Sequence, residues 1–152
     1  MATLHLMVGL PCSGKTTYAK KLEMQEKAVR FTPDVWQIKL FGQDARDEKH
    51  DERHSAIEAI MWETAKRTLE LGTSVILDFG FWAKEERDFF KLEAERLNAD
   101  FKIHFMDVPS DELLARLEKR NANAGDDVFV IEPAELEKWI GWFEAPDADE
   151  LR

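Results

Sequence analysis

Polar and apolar positions along this chain alternate between short unbroken apolar runs and longer stretches with a helical period. Leu4-His5-Leu6-Met7-Val8 is long enough for one buried strand, and Thr17 to Met24 reads as the first turns of an amphipathic helix. Ala28-Val29-Arg30-Phe31 predicts a second strand. It ends at Thr32-Pro33-Asp34, where Thr32 is placed to cap a helix with Pro33 at its first position. That helix runs from Asp34 to about Phe41 and stops at Gly42. Gln43 to Arg53 is charged and nearly devoid of apolar residues, which predicts a surface loop or lid. From about Asp51 to Leu71 the period predicts a long helix with Ile57, Ile60, Met61, Thr64, Ala65 and Leu69 on one face, closed by Gly72.

The second half repeats the pattern. Ser74-Val75-Ile76-Leu77-Asp78 has the look of a buried strand ending in an acid. Lys84 to Asn98 predicts a helix with Phe89, Phe90, Ala94 and Leu97 inward. Phe101-Lys102-Ile103-His104-Phe105 alternates with period two, as a half-exposed strand near a sheet edge does. Asp111 to about Asn121 predicts a helix with Leu113, Leu114 and Leu117 inward, and Asn121 to Asp127 is the most flexible-looking stretch. A last helix from Pro133 buries Leu136, Trp139, Ile140 and Phe143, ahead of Pro146 and an acidic tail. Strands alternating with helices imply an α/β fold. The expectation is one domain over residues 1–152, with a parallel, doubly wound sheet and helices on both faces. Ligands in such sheets collect at the carboxyl ends of the strands.

Bulk composition narrows the class. Asp and Glu outnumber Lys and Arg by 31 to 21, a formal charge of −10. That sign repels polyphosphate backbones, so a nucleic-acid partner is disfavoured though a local basic groove would still allow one. No apolar run approaches the ~20 residues that cross a bilayer, so no membrane partner is expected. The first strand begins at the N-terminus, so no signal peptide is expected. Cys12 is the only cysteine, which rules out an internal disulfide and suits a cytoplasmic location.

Between the first strand and its helix lies Gly9-Leu10-Pro11-Cys12-Ser13-Gly14-Lys15-Thr16, which fits G-x-x-x-x-G-K-[ST] at every fixed position. Strand, glycine loop and helix start together make a phosphate site. The glycines let loop amides point inward, and the helix N-terminus adds partial positive charge. Gly9 through Thr16, with Thr17 beside them, form the candidate nucleotide-binding set. Lys15 reaches the β- and γ-phosphates, and Thr16 ligates Mg²⁺.

Absences choose among phosphate-loop chemistries. There is no N-K-x-D guanine-reading sequence, and Phe79 follows Asp78 where a hydrolytic motor places a water-orienting glutamate. Both favour transfer of a phosphoryl group to a bound acceptor. Asp78-Phe79-Gly80 spells D-F-G, but no H-R-D loop accompanies it. Asp34, just past the second strand, is the candidate general base for an acceptor hydroxyl; otherwise it is a helix-start acid that suits the dipole. Asp78 is the second metal-site candidate, holding a Mg²⁺-bound water or orienting the acceptor. Arg116 and Arg120, four apart on one helix, would close a lid of about residues 111–128 over the phosphates, or else form part of a solvated face. Phe79, Phe81, Trp82 and Trp36 either stack on an acceptor ring or pack. His50-Asp51-Glu52-Arg53-His54 departs from H-E-x-x-H, so a solvated charged face is the favoured reading over zinc. His5 and His104 are expected to be structural.

The phosphate loop, the Thr32-Pro33-Asp34 turn, the Val75-Ile76-Leu77-Asp78 strand and Arg116-Leu117-Glu118-Lys119-Arg120-Asn121 together resemble the small bacterial P-loop kinases labelled AAA-type ATPases. Zeta toxins, chloramphenicol phosphotransferase and the kinase domain of 5′-polynucleotide kinases are relatives of that family. The resemblance spans nearly the whole chain, to Phe143-Glu144-Ala145-Pro146. It implies a three-layer P-loop NTPase fold, nucleoside-monophosphate-kinase-like with an Arg-bearing lid. The implied activity is ATP:alcohol phosphotransfer, with Mg²⁺ at Thr16, a base at Asp34 and lid arginines at Arg116 and Arg120. Leu77 to Trp82 is similar to the L-D-G-F-P-R of adenylate kinases, but Trp82 stands in the arginine's place. A small hydroxylated acceptor is therefore the first expectation. A polynucleotide 5′-hydroxyl and a non-catalytic ATP-binding regulatory module are the alternatives.

Overall fold

Leu4, Leu6 and Val8 on one side of the first strand, and Met7 on the other, are all fully buried, and this two-sided burial sets the architecture. A computed structural model describes residues 1–123, 125 and 127–152. Ala124 and Asp126, in the stretch expected to be flexible, lie outside the described residues. The elements are β1 (Thr3–Val8), α1 (Lys15–Glu26), β2 (Val29–Phe31), α2 (Pro33–Phe41), α3 (His50–Glu70), β3 (Val75–Gly80), α4 (Lys84–Arg96), β4 (Asp100–Phe105), α5 (Ser110–Ala122) and α6 (Pro133–Trp142). Every strand pairing is parallel, in the order β2-β3-β1-β4. β4 is an edge strand, in keeping with its alternating pattern.

The pleat sends alternate residues to opposite faces, and each face is covered. Leu4, Leu6 and Val8 join Leu77, Phe31, and the Ile57, Met61, Ala65 and Leu69 stripe of α3, with Phe90 and Ala94 of α4. Met7 and Ile76 meet Ala19 and Leu22 of α1. A third apolar group lies beside the sheet and joins Leu10, Ile38, Leu113, Leu117, Phe129, Ile131 and Leu136. The result is the three-layer α/β sandwich expected from the sequence.

Several local expectations are corrected. Ile60 and Thr64 face solvent, because the buried stripe of α3 is narrower than the apolar count suggests. Phe89 is half exposed while the adjacent Phe90 is buried. Thr32 does occupy the N-cap of α2, but its hydroxyl makes no cap and is used elsewhere. The acidic tail is docked: the fully buried Arg87 binds Glu150 through Nε at 2.8 Å and donates to the Phe81 carbonyl at 2.9 Å. His5 and His104, expected to be structural, are both buried, with ring nitrogens 2.9 Å apart between neighbouring strands.

Candidate active site

The phosphate loop connects β1 to α1 and is tied to the end of β3, where the Gly9 N–H donates to the Gly80 carbonyl at 3.0 Å. Glycine is required at position 9, since a Cβ there would lie 2.6 Å from Ser13 Oγ. The backbone turns left-handed at Cys12 (φ 71°) and again at Gly14 (φ 90°). Turns of this kind aim successive amides into a common anion-binding hollow. Gly14 is the N-cap of α1, so the unpaired N–H groups of the first helical turn face the same hollow. Lys15 arches back over the loop, with Nζ 3.4 Å from the Leu10 carbonyl.

Two strand ends and the first turn of α1 converge next to the loop. Thr16 Oγ1 donates to Asp78 Oδ2 at 2.7 Å, and Thr32 Oγ1 donates to the same oxygen at 3.0 Å. Arg30 Nη1 donates in turn to Thr32 Oγ1 at 2.5 Å, which explains why the hydroxyl is lost to helix capping. Asp78 is buried, and its Oδ1 has no partner among the described residues. Burial pushes its carboxyl above the usual range, against the pull of the Lys15 charge and the two hydroxyls. An orphaned buried oxygen costs free energy unless something fills its lone pairs. A hydroxyl, a carboxylate oxygen and adjacent phosphate oxygens are the hard donors Mg²⁺ takes, so these residues fit that metal. Among the described residues, no group of three His, Cys, Asp or Glu converges in a way that would hold a metal without help.

Asp34 sits in the first turn of α2 with its carboxylate partly exposed, and His54 Nδ1 of α3 lies 3.9 Å from its Oδ1. The solvated face expected for His50 and His54 is not what forms. His54 Nδ1 is 2.9 Å from Gln37 Oε1, and Nε2 is 3.4 Å from Glu58. Burial opposes a charge on His54, but hydrogen bonding to Glu58 and the charges of Glu58, Asp34 and Asp51 outweigh it, so its pKa is raised. Gln37 is fully buried and donates to both oxygens of Asp44, at 3.2 and 3.1 Å. The segment Gln43 to Arg53 is therefore more than a surface loop. Asp44 is buried within it, and although burial opposes its charge, His50, Gln37 and Arg53 hold its carboxyl below the usual range. Sequence reasoning missed this network: His50 and His54 share a helix face, but nothing marks Gln37 as buried.

The two arginines of α5 also reach the loop. Arg116 Nη1 donates to the Cys12 carbonyl at 3.1 Å, and Arg120 Nη1 lies 3.6 Å from Cys12 Sγ. Arg120 Nη2 donates to the Phe129 carbonyl at 3.3 Å, while its Nε is buried without a partner among the described residues. The helix that carries them is anchored, not loosely hinged. Leu113 and Leu117 are buried against Leu136 of α6, and exposing both would cost about 3–6 kcal/mol. The segment 128–131 is held by two side-chain amides. Asn121 Nδ2 donates to the Ile131 carbonyl at 2.7 Å and its Oδ1 accepts from the Ile131 N–H at 3.2 Å. Gln43 does the same for Val128 and Val130, at 2.8 and 3.0 Å.

These parts enclose one cavity of about 790 Å³. Lys15, Thr16, Asp34, Asp78 and Arg120 all line it, together with Pro11 of the loop. Arg116 and Thr17 are not among its described lining residues; Arg116 touches the loop from outside, and Thr17 is exposed on α1. Phe79 and Trp82 line the cavity, whereas Phe81 is buried in the core against Phe79 and Phe90. Trp36 is not among the described lining residues and packs edge-on to Phe31.

Parallel sheet, phosphate loop and the Thr16–Asp78 pair between the start of α1 and the end of β3 define the fold of P-loop kinases. The chain belongs to the AAA domain family, whose model matches residues 4–146. Its fold is similar to a candidate kinase from Chloroflexus aurantiacus J-10-fl, at 19% identity and TM-score 0.74, covering 91% of this chain and 74% of that one. It is also similar to a chain of the Pnkp1/Rnl/Hen1 RNA repair complex, at 27% identity and TM-score 0.74, covering 93% of this chain. The match spans only 43% of that longer chain. Chaetomium thermophilum Kti12, solved with ADP-AlF3, aligns at 20% identity and TM-score 0.71, covering 95% of this chain and 81% of that one. No curated protein matches the sequence. No helix among the described residues is long and apolar enough to cross a membrane.

Proposed function

We propose that this chain is an ATP- and Mg²⁺-dependent phosphotransferase that moves the γ-phosphoryl group to a hydroxyl of a small acceptor. The observation that carries the proposal is one cavity lined by both Lys15 and Thr16 of the phosphate loop and the carboxylates of Asp78 and Asp34. Kti12, of the same fold, was solved with ADP-AlF3, and this supports reading the loop as a nucleotide site. In this reading the loop amides and Lys15 bind the β- and γ-phosphates, while Asp34 accepts the proton as the acceptor oxygen bonds to γ-phosphorus. The bond to the β–γ bridging oxygen breaks and ADP leaves. Thr16 and Asp78 would hold Mg²⁺, which when bound neutralises charge on the phosphates. Arg120, and Arg116 through the Cys12 carbonyl, position the loop and shield the transfer from water. A lone cysteine fits a reducing, cytoplasmic setting.

The test is ADP formation from ATP across nucleosides, sugars, antibiotics and oligonucleotide 5′ ends. Acceptor-dependent turnover that disappears in Lys15→Ala supports the proposal. ADP formation that stays at the solvent-hydrolysis level with every acceptor would instead indicate a nucleotide-binding regulatory module. The likeness to a chain of an RNA repair complex favours the polynucleotide reading as the second candidate. The acidic lining of the cavity favours the small acceptor.

A further inference from the structure

The charges of the cavity are lopsided. Its described lining carries six carboxylates (Asp34, Asp51, Asp78, Asp127, Glu132 and Glu135) against three Lys or Arg side chains (Lys15, Arg46 and Arg120). Each of those cations is already engaged. Lys15 lies over the phosphate loop, Arg120 is bound to Phe129 and Cys12, and Arg46 is ion-paired with Glu132. His54, the lining group whose charge is favoured, is flanked by Asp34 and Glu58. His50 lies 2.8 Å from Asp44. Away from the loop, the described wall is therefore net acidic, and Arg120 Nε is the one cationic N–H there left buried without a partner among the described residues.

The same wall is aromatic. Trp82, Trp139 and Trp142 line it, and the Trp82 and Trp139 rings lie 5.4 Å apart. Lys138, outside the described lining, already sets one ammonium against this wall, with Nζ 3.5 Å from Glu135 Oε1 and 5.9 Å from the Trp142 ring centroid, so an acceptor ammonium at Glu135 takes that group's place. Carboxylates beside indole faces attract organic ammonium ions through both charge and the ring quadrupole.

Building on the phosphotransferase reading, we propose that the acceptor is a hydroxylated cation. It is an amine-bearing alcohol whose ammonium is held by Asp51, Glu135 and the tryptophan wall while its hydroxyl faces Asp34. A cavity of about 790 Å³ is within the range that holds small molecules. A phosphorylated or polyanionic acceptor meets like charge there and loses affinity.

The experiment titrates the full chain, saturated with ADP and Mg²⁺, calorimetrically with matched probes. Ethanolamine is paired with ethylene glycol, and kanamycin with its N-acetylated form; gluconate and a 5′-hydroxyl oligonucleotide serve as anionic probes. The same compounds are then offered as acceptors with ATP. The expected result is that the amine of at least one pair binds about tenfold or more tightly than its neutral counterpart. Asp51→Asn combined with Glu135→Gln, both substitutions of accessible side chains, should bring that ratio towards one with ADP affinity unchanged. Trp82→Arg should independently shift preference towards gluconate. A ratio near one or below in both pairs, including no binding of any probe, overturns the inference. Transfer to a neutral or anionic alcohol without amine preference overturns it while the kinase reading stands. Amine-selective binding without transfer supports the cation site and removes the kinase reading.

Discussion

Thr16 and Asp78 lie 62 residues apart in sequence and meet at 2.7 Å, hydroxyl to carboxylate, where the first helix starts beside the end of β3. The contact leaves Asp78 Oδ1 buried and unpartnered among the described residues. Asp78→Asn should therefore weaken Mg²⁺-dependent turnover by roughly 10²-fold or more, as loss of a group that supports charge neutralisation does. Fold stability should change little, because Asn keeps the shape and removes a desolvated charge. A Mg²⁺ titration of ADP formation reads the first effect, and a denaturant melt reads the second. An unchanged Mg²⁺ dependence would remove Asp78 from the metal site.

In the proposed reading, Lys15 offers the loop's one ammonium group to the phosphates. Lys15→Ala should abolish turnover while shifting the melting temperature little, since the side chain's hydrogen bond to the Leu10 carbonyl is long and its other effect is the charge it sets near Asp78. Near-normal ADP formation in this variant contradicts the loop assignment.

Asp34 has a separate readout. If it takes the acceptor proton, Asp34→Asn retains ATP affinity but loses transfer by roughly 10²–10⁴-fold. His54→Gln removes the neighbour 3.9 Å away and should cost less, shifting the pH profile more than the maximal rate. An unchanged kcat for Asp34→Asn assigns the carboxylate to the helix dipole alone.

The two lid arginines are predicted to differ. Arg120 lines the cavity, whereas Arg116 meets the Cys12 carbonyl and Glu112. Arg120→Ala should slow transfer more than Arg116→Ala, and both should affect kcat more than ATP affinity. Equal losses in rate and affinity demote the lid.

Buried histidines make stability depend on pH. Burial, then the charges of His5 and Lys102, lower His104 to about 4 from 6.5. The unfolded chain then binds more protons than the folded one between those values, so stability falls as pH drops through that window. The loss is to be read between pH 7 and pH 5. Urea melts at the two pH values check it, and His104→Gln should flatten the dependence.

Much of the architecture was legible because its causes are local. Apolar runs four or five residues long, the Gly-rich loop and the Pro33 and Gly42 boundaries constrain their own backbone, so strands, helices and the phosphate loop could be placed by position. Lys15 and Thr16 were legible for the same reason. The mistaken expectations concern faces and partners. Phe89 and Phe90 are chemically alike, and only the packing against Trp62 and Phe81 makes the second the buried one.

By itself, the sequence determined the order of elements, the parallel sheet and the loop that meets phosphate, because hydrophobic period and glycine geometry act within a few residues. Tertiary structure decided what joins across long separations. It took the Thr32 hydroxyl from its helix cap to Asp78, buried Gln37 and Asp44 beneath the histidines, and bound the acidic tail to Arg87 through Glu150. It also set a tryptophan and carboxylate wall in the same cavity as the phosphate loop. Those pairings depend on which polar groups are buried together, and burial is a property of the assembled chain.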